Sequence, residues 1–222
     1  MHGFDRENRM PIHLTAITCG HMDNRTYLLT DVQSQKTIIV DPGFDPNRIL
    51  TAMQGKTPEA LLLTHAHFDH MNLIDMLRTL WNVPLWVHKE DSDALQDGER
   101  NVSRLFLGHD QTYRPAEHTF VQQDTIPLGN EWITVIHTPG HTPGSCCFFV
   151  ETTQGPALLT GDTLLHDSIG RTDFAGGSMT QMMQSVQKLK TLGKQHGDWM
   201  LYPGHGNADT FANQLVTNPY LR

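Results

Sequence analysis

The sequence predicts a layered α/β sandwich. Two batches of short β-like runs, one before residue 90 and one from residue 131 onward, are each followed by helical periodicity, and Gly/Pro turns punctuate both. No linker-like shift in composition and no internal repeat divides the 222 residues, so one domain over residues 1–222 is expected. With 38% hydrophobic and 18% charged residues, the chain carries enough apolar side chains to bury a sizeable core.

The first batch opens with IHLTAIT (12–18), RTYLLT (25–30) and KTIIVD (36–41), separated by turns and closed by Pro42-Gly43. Asp45-Pro46 places a helix start before NRILTAMQ, because proline's fixed φ and missing donor suit a first helical position. EALLL (59–63) is a short, continuously apolar run of the kind that fully buried strands carry, and it ends directly in Thr64-His65. Leu73, Met76, Leu77 and Leu80 recur at helical spacing, and Pro84 opens a further strand, PLWVH. Residues 97–130 are polar and hold Gly98, Gly108, Pro115, Pro127 and Gly129, which predicts a long surface loop with one or two short elements, placed to cover a site.

EWITVIHT (131–138), SCCFFVE (145–151) and PALLTG (156–161) make the second batch. Ser178 offers an N-cap to a helix whose Met182, Met183, Val186, Leu189 and Leu192 are expected in the core. A last strand, WMLYP (199–203), leads to a short helix near 208–217.

Charge and composition exclude several partners. Lys+Arg 16 against Asp+Glu 24 leaves a formal net charge of −8, the wrong sign for a protein that neutralises phosphates, so no nucleic-acid partner is expected. No window approaches the roughly 20 consecutive apolar residues of a membrane span. The start MHGFDRENRM lacks the basic and apolar regions of a secretory signal, so no membrane partner and a cytoplasmic location are expected. Cys19, Cys146 and Cys147 form no disulfide framework and are read as reduced, buried thiols. Histidine stands out, with 14 copies, because neutral imidazole is the commonest metal ligand.

Thr64-His65-Ala66-His67-Phe68-Asp69-His70 packs three imidazoles and a carboxylate directly behind an apolar strand. In an extended segment side chains i and i+2 point the same way, so His65 and His67 can grip one ion, while Asp69 and His70 fall where the chain turns into a helix and can face a second. Imidazole and carboxylate suit zinc, iron or manganese, and the lack of a nearby thiolate argues against a closed structural zinc site. TPGHTPG (138–144), LLTGDT (158–163) and LYPGHG (201–206) repeat one pattern, a ligand-type residue in a Gly/Pro turn after a β-run. Strand ends that converge on one sheet edge would bring His141, Asp162 and His205 to the cluster, enough for two ions with open positions. His88 and His166 are read as solvated loop histidines that could border such a cleft, outside the ligand set. His2, His13, His21, His109, His118, His137 and His196 have no motif support, and Asn24 is read as a turn or edge residue.

HAHFDH, TPGHTPG, TGDTL and YPGHG, in that order, resemble the metallo-β-lactamase superfamily over nearly the whole chain. The resemblance implies a four-layer αββα sandwich with metals at one edge. Carried over, it implies that His65, His67 and His141 bind a first ion, Asp69, His70 and His205 a second, and that Asp162 bridges them. Gly170-Arg171-Thr172-Asp173-Phe174 and the ending Asn218-Pro219-Tyr220-Leu221 resemble the short, single-domain glyoxalase II branch, the hydroxyacylglutathione hydrolases. The chain departs from the family in having Met71-Asn72 where a small or glycine pair is common, and it lacks the C-terminal helical domain of longer glyoxalase II proteins. Arg171 falls where longer members place a basic residue near glutathione, and is the one substrate contact the resemblance implies.

The implied activity is hydrolysis of an S-acylglutathione such as S-lactoylglutathione, a small-molecule thioester, with two divalent ions, zinc first and iron or manganese compatible. Two ions about 3.5–4 Å apart lower the pKa of a bridging water from about 15.7 towards about 7, supplying a metal-bridging hydroxide, and one ion polarises the carbonyl. Asp69 is the catalytic candidate, orienting that water or shuttling its proton. The rival is a persulfide dioxygenase of the same superfamily, which binds one iron through two histidines and an aspartate, here His65, His141 and Asp162. A lactonase or phosphoesterase is a further option. A true β-lactamase is disfavoured by the missing export signal and by Asp rather than Cys at position 162.

Overall fold

Successive side chains along a strand point to opposite sides, and in this protein both sides are apolar. The computed structural model describes residues 11–20 and 22–222; His2, His21 and the start MHGFDRENRM lie outside the described residues. From β1 (Ile12–Cys19), β2 (Asn24–Asp31), β3 (Lys36–Val40) and β4 (Thr57–Leu62), one set, including Leu28, Ile39 and Leu61, packs with Ile49, Met71, Ile74 and Leu77. Those four sit on helices α1 (Pro46–Ala52), α2 (Phe68–Met71) and α3 (Ile74–Trp81). The alternate set, Leu29, Ile38, Val40 and Leu62, meets Phe148, Val150 and Leu159 of the second batch of strands. On the far side Cys147 and Leu158 join Met182, Val186, Leu189 and Phe211 from the two C-terminal helices. The layers are therefore helix, sheet, sheet, helix, the αββα sandwich expected. Continuous runs such as Ala60-Leu61-Leu62 follow from it, since strands covered on both faces need no polar side.

β5 (Leu85–His88), a 3₁₀ helix (Lys89–Gln96), α4 (Ser103–Leu107), β6 (His118–Phe120) and β7 (Thr125–Leu128) complete the first half. The second half contains β8 (Glu131–His137), β9 (Cys146–Thr152), β10 (Gly155–Gly161), β11 (Leu164–Leu165), β12 (Ser168–Ile169), α5 (Met179–Gln195), β13 (Met200–Pro203), β14 (Asp209–Thr210) and α6 (Phe211–Thr217). Strands bond in the order β14-β13-β10-β9-β1-β2-β3-β4-β5-β6, with β8 on β9 and β7 on β8, while β11 and β12 form a separate ribbon. β1, β2 and β3 are the antiparallel meander expected, and β3 to β6 run parallel. No described helix is long and apolar enough to cross a membrane.

Three local expectations are corrected. In α3 the core face is Ile74 and Leu77, whereas Met76 and Leu80 are 41% and 56% exposed, because the sheet takes only one narrow stripe of so short a helix. In α5 Met182 is buried but Met183, about 100° further round, is 42% exposed. Residues 97–130 hold more structure than the surface loop with one or two short elements expected: beside α4, β6 extends the sheet next to β5 and β7 pairs with β8, strands of three and four residues that are too short to show a period. The three cysteines are buried and free, as read from sequence.

Candidate metal centre

The segments that leave β3, β4, β8, β10 and β13 meet at one edge. Cys146 N donates to Thr64 O across 2.9 Å and Gly204 N to Gly161 O across 2.8 Å, which ties the start of the His65 segment to the strand that follows the His141 turn, and the His205 turn to the Asp162 turn. Gly204 is required by crowding: a Cβ there would lie 2.3 Å from Asp162 Oδ1 and 2.7 Å from His70 Cε1. His67 is still extended (φ −91°, ψ 146°) and forms the N-cap position of α2, so Asp69 and His70 are carried on the first turn that follows.

All seven predicted metal-ligating residues come together. The candidate donor atoms of His65, His67 and His141 lie within 4.8 Å of one another, and those of Asp69, His70 and His205 form a second such group. Asp162 lies between the groups. Its Oδ2 is 3.5 Å from His141 Nε2 and 3.5 Å from His205 Nε2, and its Oδ1 is 3.6 Å from His70 Nε2. Asp69 Oδ2 is 3.4 Å from His205 Nε2 and 3.6 Å from His70 Nε2.

The test of fit is what these atoms bond to. Nε2 of His65, His67 and His141 and Oδ1 of Asp162 are buried without a hydrogen-bond partner, a condition that costs about 1–3 kcal/mol per atom when nothing offsets it. Donor separations of 3.4–3.6 Å match the roughly 3.3 Å edge of a tetrahedron built on bonds of about 2.0–2.1 Å. The donor set therefore fits divalent ions.

The opposite ring nitrogens are anchored. His141 Nδ1–H donates to Arg171 O (2.7 Å) and His205 Nδ1–H to Met22 O (2.8 Å). Thr64 Oγ1 donates to Asp41 Oδ2 (2.6 Å) and accepts from His65 Nδ1 (3.0 Å), while His70 Nδ1–H donates to the same carboxylate oxygen (3.1 Å). At His65 and His141 these bonds select the tautomer that leaves Nε2 as a lone-pair donor, and at His70 and His205 they keep Nδ1 protonated, so that Nε2 is the nitrogen that would give up its proton to an ion. Asp41, His65 and His70 also lie close enough to count as a group, but the Asp41 oxygens are already engaged by Thr64 and His70, so Asp41 serves as their support.

Burial, reinforced by neighbouring imidazoles, holds His65 and His67 well below the usual imidazole range, in the neutral form that ligates. For His70 burial opposes protonation, yet the Asp69, Asp162 and Asp41 carboxylates outweigh it and push the ring up to about 9. Bonds to Asp162 and Asp69 likewise overcome burial at His205 and raise it to about 11. Burial alone would raise Asp69 and Asp162, but facing His70 and His205 holds both below the carboxylate range, so both are ionised.

Three supporting residues escaped the sequence reading. Asp41 follows KTIIV and precedes Pro-Gly, the same strand-then-turn placement that marks the ligands, but it was read only as a strand end. Asn24, read as a turn or edge residue, is buried in β2 and donates to Asp69 Oδ2 (3.0 Å) and Asp69 O (3.2 Å). Asp91, inside the polar run Lys89-Glu90-Asp91-Ser92-Asp93, gives no sequence signal. Its Oδ2 accepts from Ala66 N (3.0 Å) and Thr142 Oγ1 (2.7 Å) and its Oδ1 from Gly144 N (2.7 Å), tying the His67 segment to the His141 turn.

A cleft of about 210 Å³ opens beside the donors and includes Met22, Phe68, Val102, Phe106, Leu165 and Phe174. Arg171 lies at this cleft, where its guanidinium pairs with Asp173 (2.6 Å) and sits 4.0 Å from the centre of the Phe174 ring. His88 and His166 do not line it: His88 is buried and stacked on His137 (4.1 Å), and His166 is exposed beside Asp167.

Known proteins resemble this chain in sequence and fold. The probable metallo-hydrolase YqgX of Bacillus subtilis is 33% identical over 216 residues, 96% of each chain. Among solved structures, BLEG-1, a B3 metallo-beta-lactamase, superposes with a TM-score of 0.85 at 32% identity, covering 94% of this chain and 99% of that one. TTHA1623, solved in a di-iron-bound form, gives 0.78 at 27% identity, covering 93% and 99%. The sequence profile of the metallo-beta-lactamase superfamily matches residues 22–205, a span that runs from the chain segment under His205 to His205 itself and takes in every predicted ligand, and the chain belongs to that superfamily.

Proposed function

We propose that the protein is a metallo-hydrolase that cleaves a thioester, with an S-acylglutathione such as S-lactoylglutathione as substrate. The observation that carries the metal-dependent reading is the convergence of unpaired buried donors on His65, His67, His141 and Asp162 beside Asp69, His70 and His205. In this reading the first three histidines hold one ion, Asp69, His70 and His205 a second, and Asp162 contributes to both; zinc suits the set, with iron and manganese compatible. Such ions supply Lewis acidity that makes water nucleophilic near neutral pH and polarises the acyl carbonyl.

The chain's own residues do the rest. Asn24 fixes the Asp69 carboxylate, which is ionised, lines the cleft and is placed to orient the attacking water and take its proton. A C–O bond forms at the acyl carbon, the C–S bond breaks, and the thiolate leaves with the electron pair and is protonated by the released proton. The segment Gly170–Phe174 brings Arg171 to the cleft, and engagement of a substrate carboxylate there requires exchange of its Asp173 partner. The name of the Bacillus relative supports the hydrolase part of this reading. The likeness to BLEG-1 makes β-lactam hydrolysis the second reading.

The test is thioester loss from S-lactoylglutathione by zinc- and iron-loaded protein, with dissolved oxygen followed on glutathione persulfide and a chromogenic cephalosporin run alongside. Thioester loss without oxygen uptake is expected, and Asp69→Ala and Asp162→Ala should abolish it in a folded protein. Iron-dependent oxygen consumption without thioester loss, cephalosporin cleavage alone, or full activity in either variant would overturn the reading.

A further inference from the structure

We propose that the acyl group this site accepts is apolar and longer than lactoyl, selected by a wall formed by Phe68, Val102, Phe106 and Phe174; the inference rests on the thioesterase reading. The wall begins at the donors and runs outward. Phe174 lies 5.6 Å from the His67 ring and 5.8 Å from Phe106, and Phe106 lies 5.7 Å from Phe68, all between ring centres. The lining has no neutral polar side chain dedicated to a 2-hydroxyl group: its polar side chains are His67, Asp69, His141, Asp162 and His205, all belonging to the donor cluster, and Arg171. A pocket built to read a hydroxyl holds a dedicated partner for it, whereas an apolar pocket discriminates by methylenes.

Charge at the mouth points the same way. Arg171, when it leaves Asp173, is taken up by the carboxylate of the thiol part of the substrate, and Arg104 in the adjoining groove is paired with Asp110 at 2.7 Å, so neither cation is assigned to the acyl group. Meanwhile α4 presents Leu105 and Phe106 at 67% and 50% exposure, apolar surface that a bound chain would cover. Val102, just before α4, is buried with φ +59°, an uncommon conformation for a β-branched residue, and it lines both the inner cleft and the outer groove of about 700 Å³. The inner 210 Å³ also has to hold the ions and the attacking water, so a chain of about four to six carbons fills the remainder and reaches the outer groove.

The test is a series of glutathione thioesters with one thiol and varied acyl groups: acetyl, propanoyl, butanoyl, hexanoyl and lactoyl. kcat/KM should rise about three- to four-fold per added methylene up to hexanoyl, and propanoyl, which is lactoyl without its hydroxyl, should equal or exceed lactoyl. Phe106→Ala and Phe174→Ala should flatten the slope, with Phe106→Leu restoring most of it. Calorimetric Kd values for S-methyl- to S-hexylglutathione should tighten along the same series, a readout independent of turnover. A flat series, or lactoyl ten-fold better than propanoyl, overturns this inference and leaves the thioesterase standing. Failure to cleave any thioester overturns both.

Discussion

Asp91 shows how one side chain can set a metal centre without touching it. Its two oxygens accept three hydrogen bonds, from Ala66 just before His67 and from Thr142 and Gly144 just after His141, and burial raises its pKa against those bonds. Asp91→Asn replaces an acceptor with an NH₂ facing an N–H or a hydroxyl, and should cost about 1–3 kcal/mol and lower the bound metal, read by thermal melting and metal analysis. His88 acts at the same scale through pH. Burial, with His137 stacked on it, holds it at about 4, below the roughly 6.5 of an unfolded histidine. The folded state therefore favours neutral His88, and its stabilisation, present above about 6.5, is lost as pH falls towards 4. The change should reach on the order of 2–3 kcal/mol, and His88→Gln should flatten the fall in urea midpoint between pH 7 and pH 4.5.

At the scale of elements, turns carry five of the seven candidate donors, and the short helix α2 carries Asp69 and His70. Gly204 separates β13 from His205 where no Cβ fits beside Asp162 and His70. Gly204→Ala should displace these donors and reduce activity by about 100-fold or more, the usual cost of a shift near 1 Å, with little change in far-ultraviolet circular dichroism. The helix α5 supports the His141 turn from its first two turns: Ser178 Oγ accepts from Gln181 N (3.3 Å), Ser178 N donates to Gly140 O (2.8 Å) beside His141, and Ser185 Oγ donates to Pro139 O (2.7 Å). Ser178→Ala removes the first bond and keeps the second, so it should cost about 1 kcal/mol of stability in denaturant titration.

At the scale of the molecule, three apolar cores lie between the four layers, and the donors are clustered at the rim of the sandwich. Folding should therefore survive loss of metal. Chelation should abolish activity and lower the melting temperature by several degrees while secondary structure persists, and added zinc should restore both, because an ion that binds only the folded state stabilises it by mass action.

The candidate donors were legible in the sequence for physical reasons, and the αββα layers through its resemblance to the metallo-β-lactamase superfamily. A strand covered on both faces must read as Ala60-Leu61-Leu62, and a ligand needs a nitrogen or oxygen donor in a turn that permits close approach, as in His65-Ala66-His67 and Pro203-Gly204-His205. Tertiary structure alone decided the supports and the cleft. Asp91 bonds residues 25 and 53 positions away, and Asn24 reaches one 45 positions away, so no local pattern marks either. Met183 and Leu80 are exposed because burial depends on which face a neighbouring layer covers, and an apolar period records only that some face is covered.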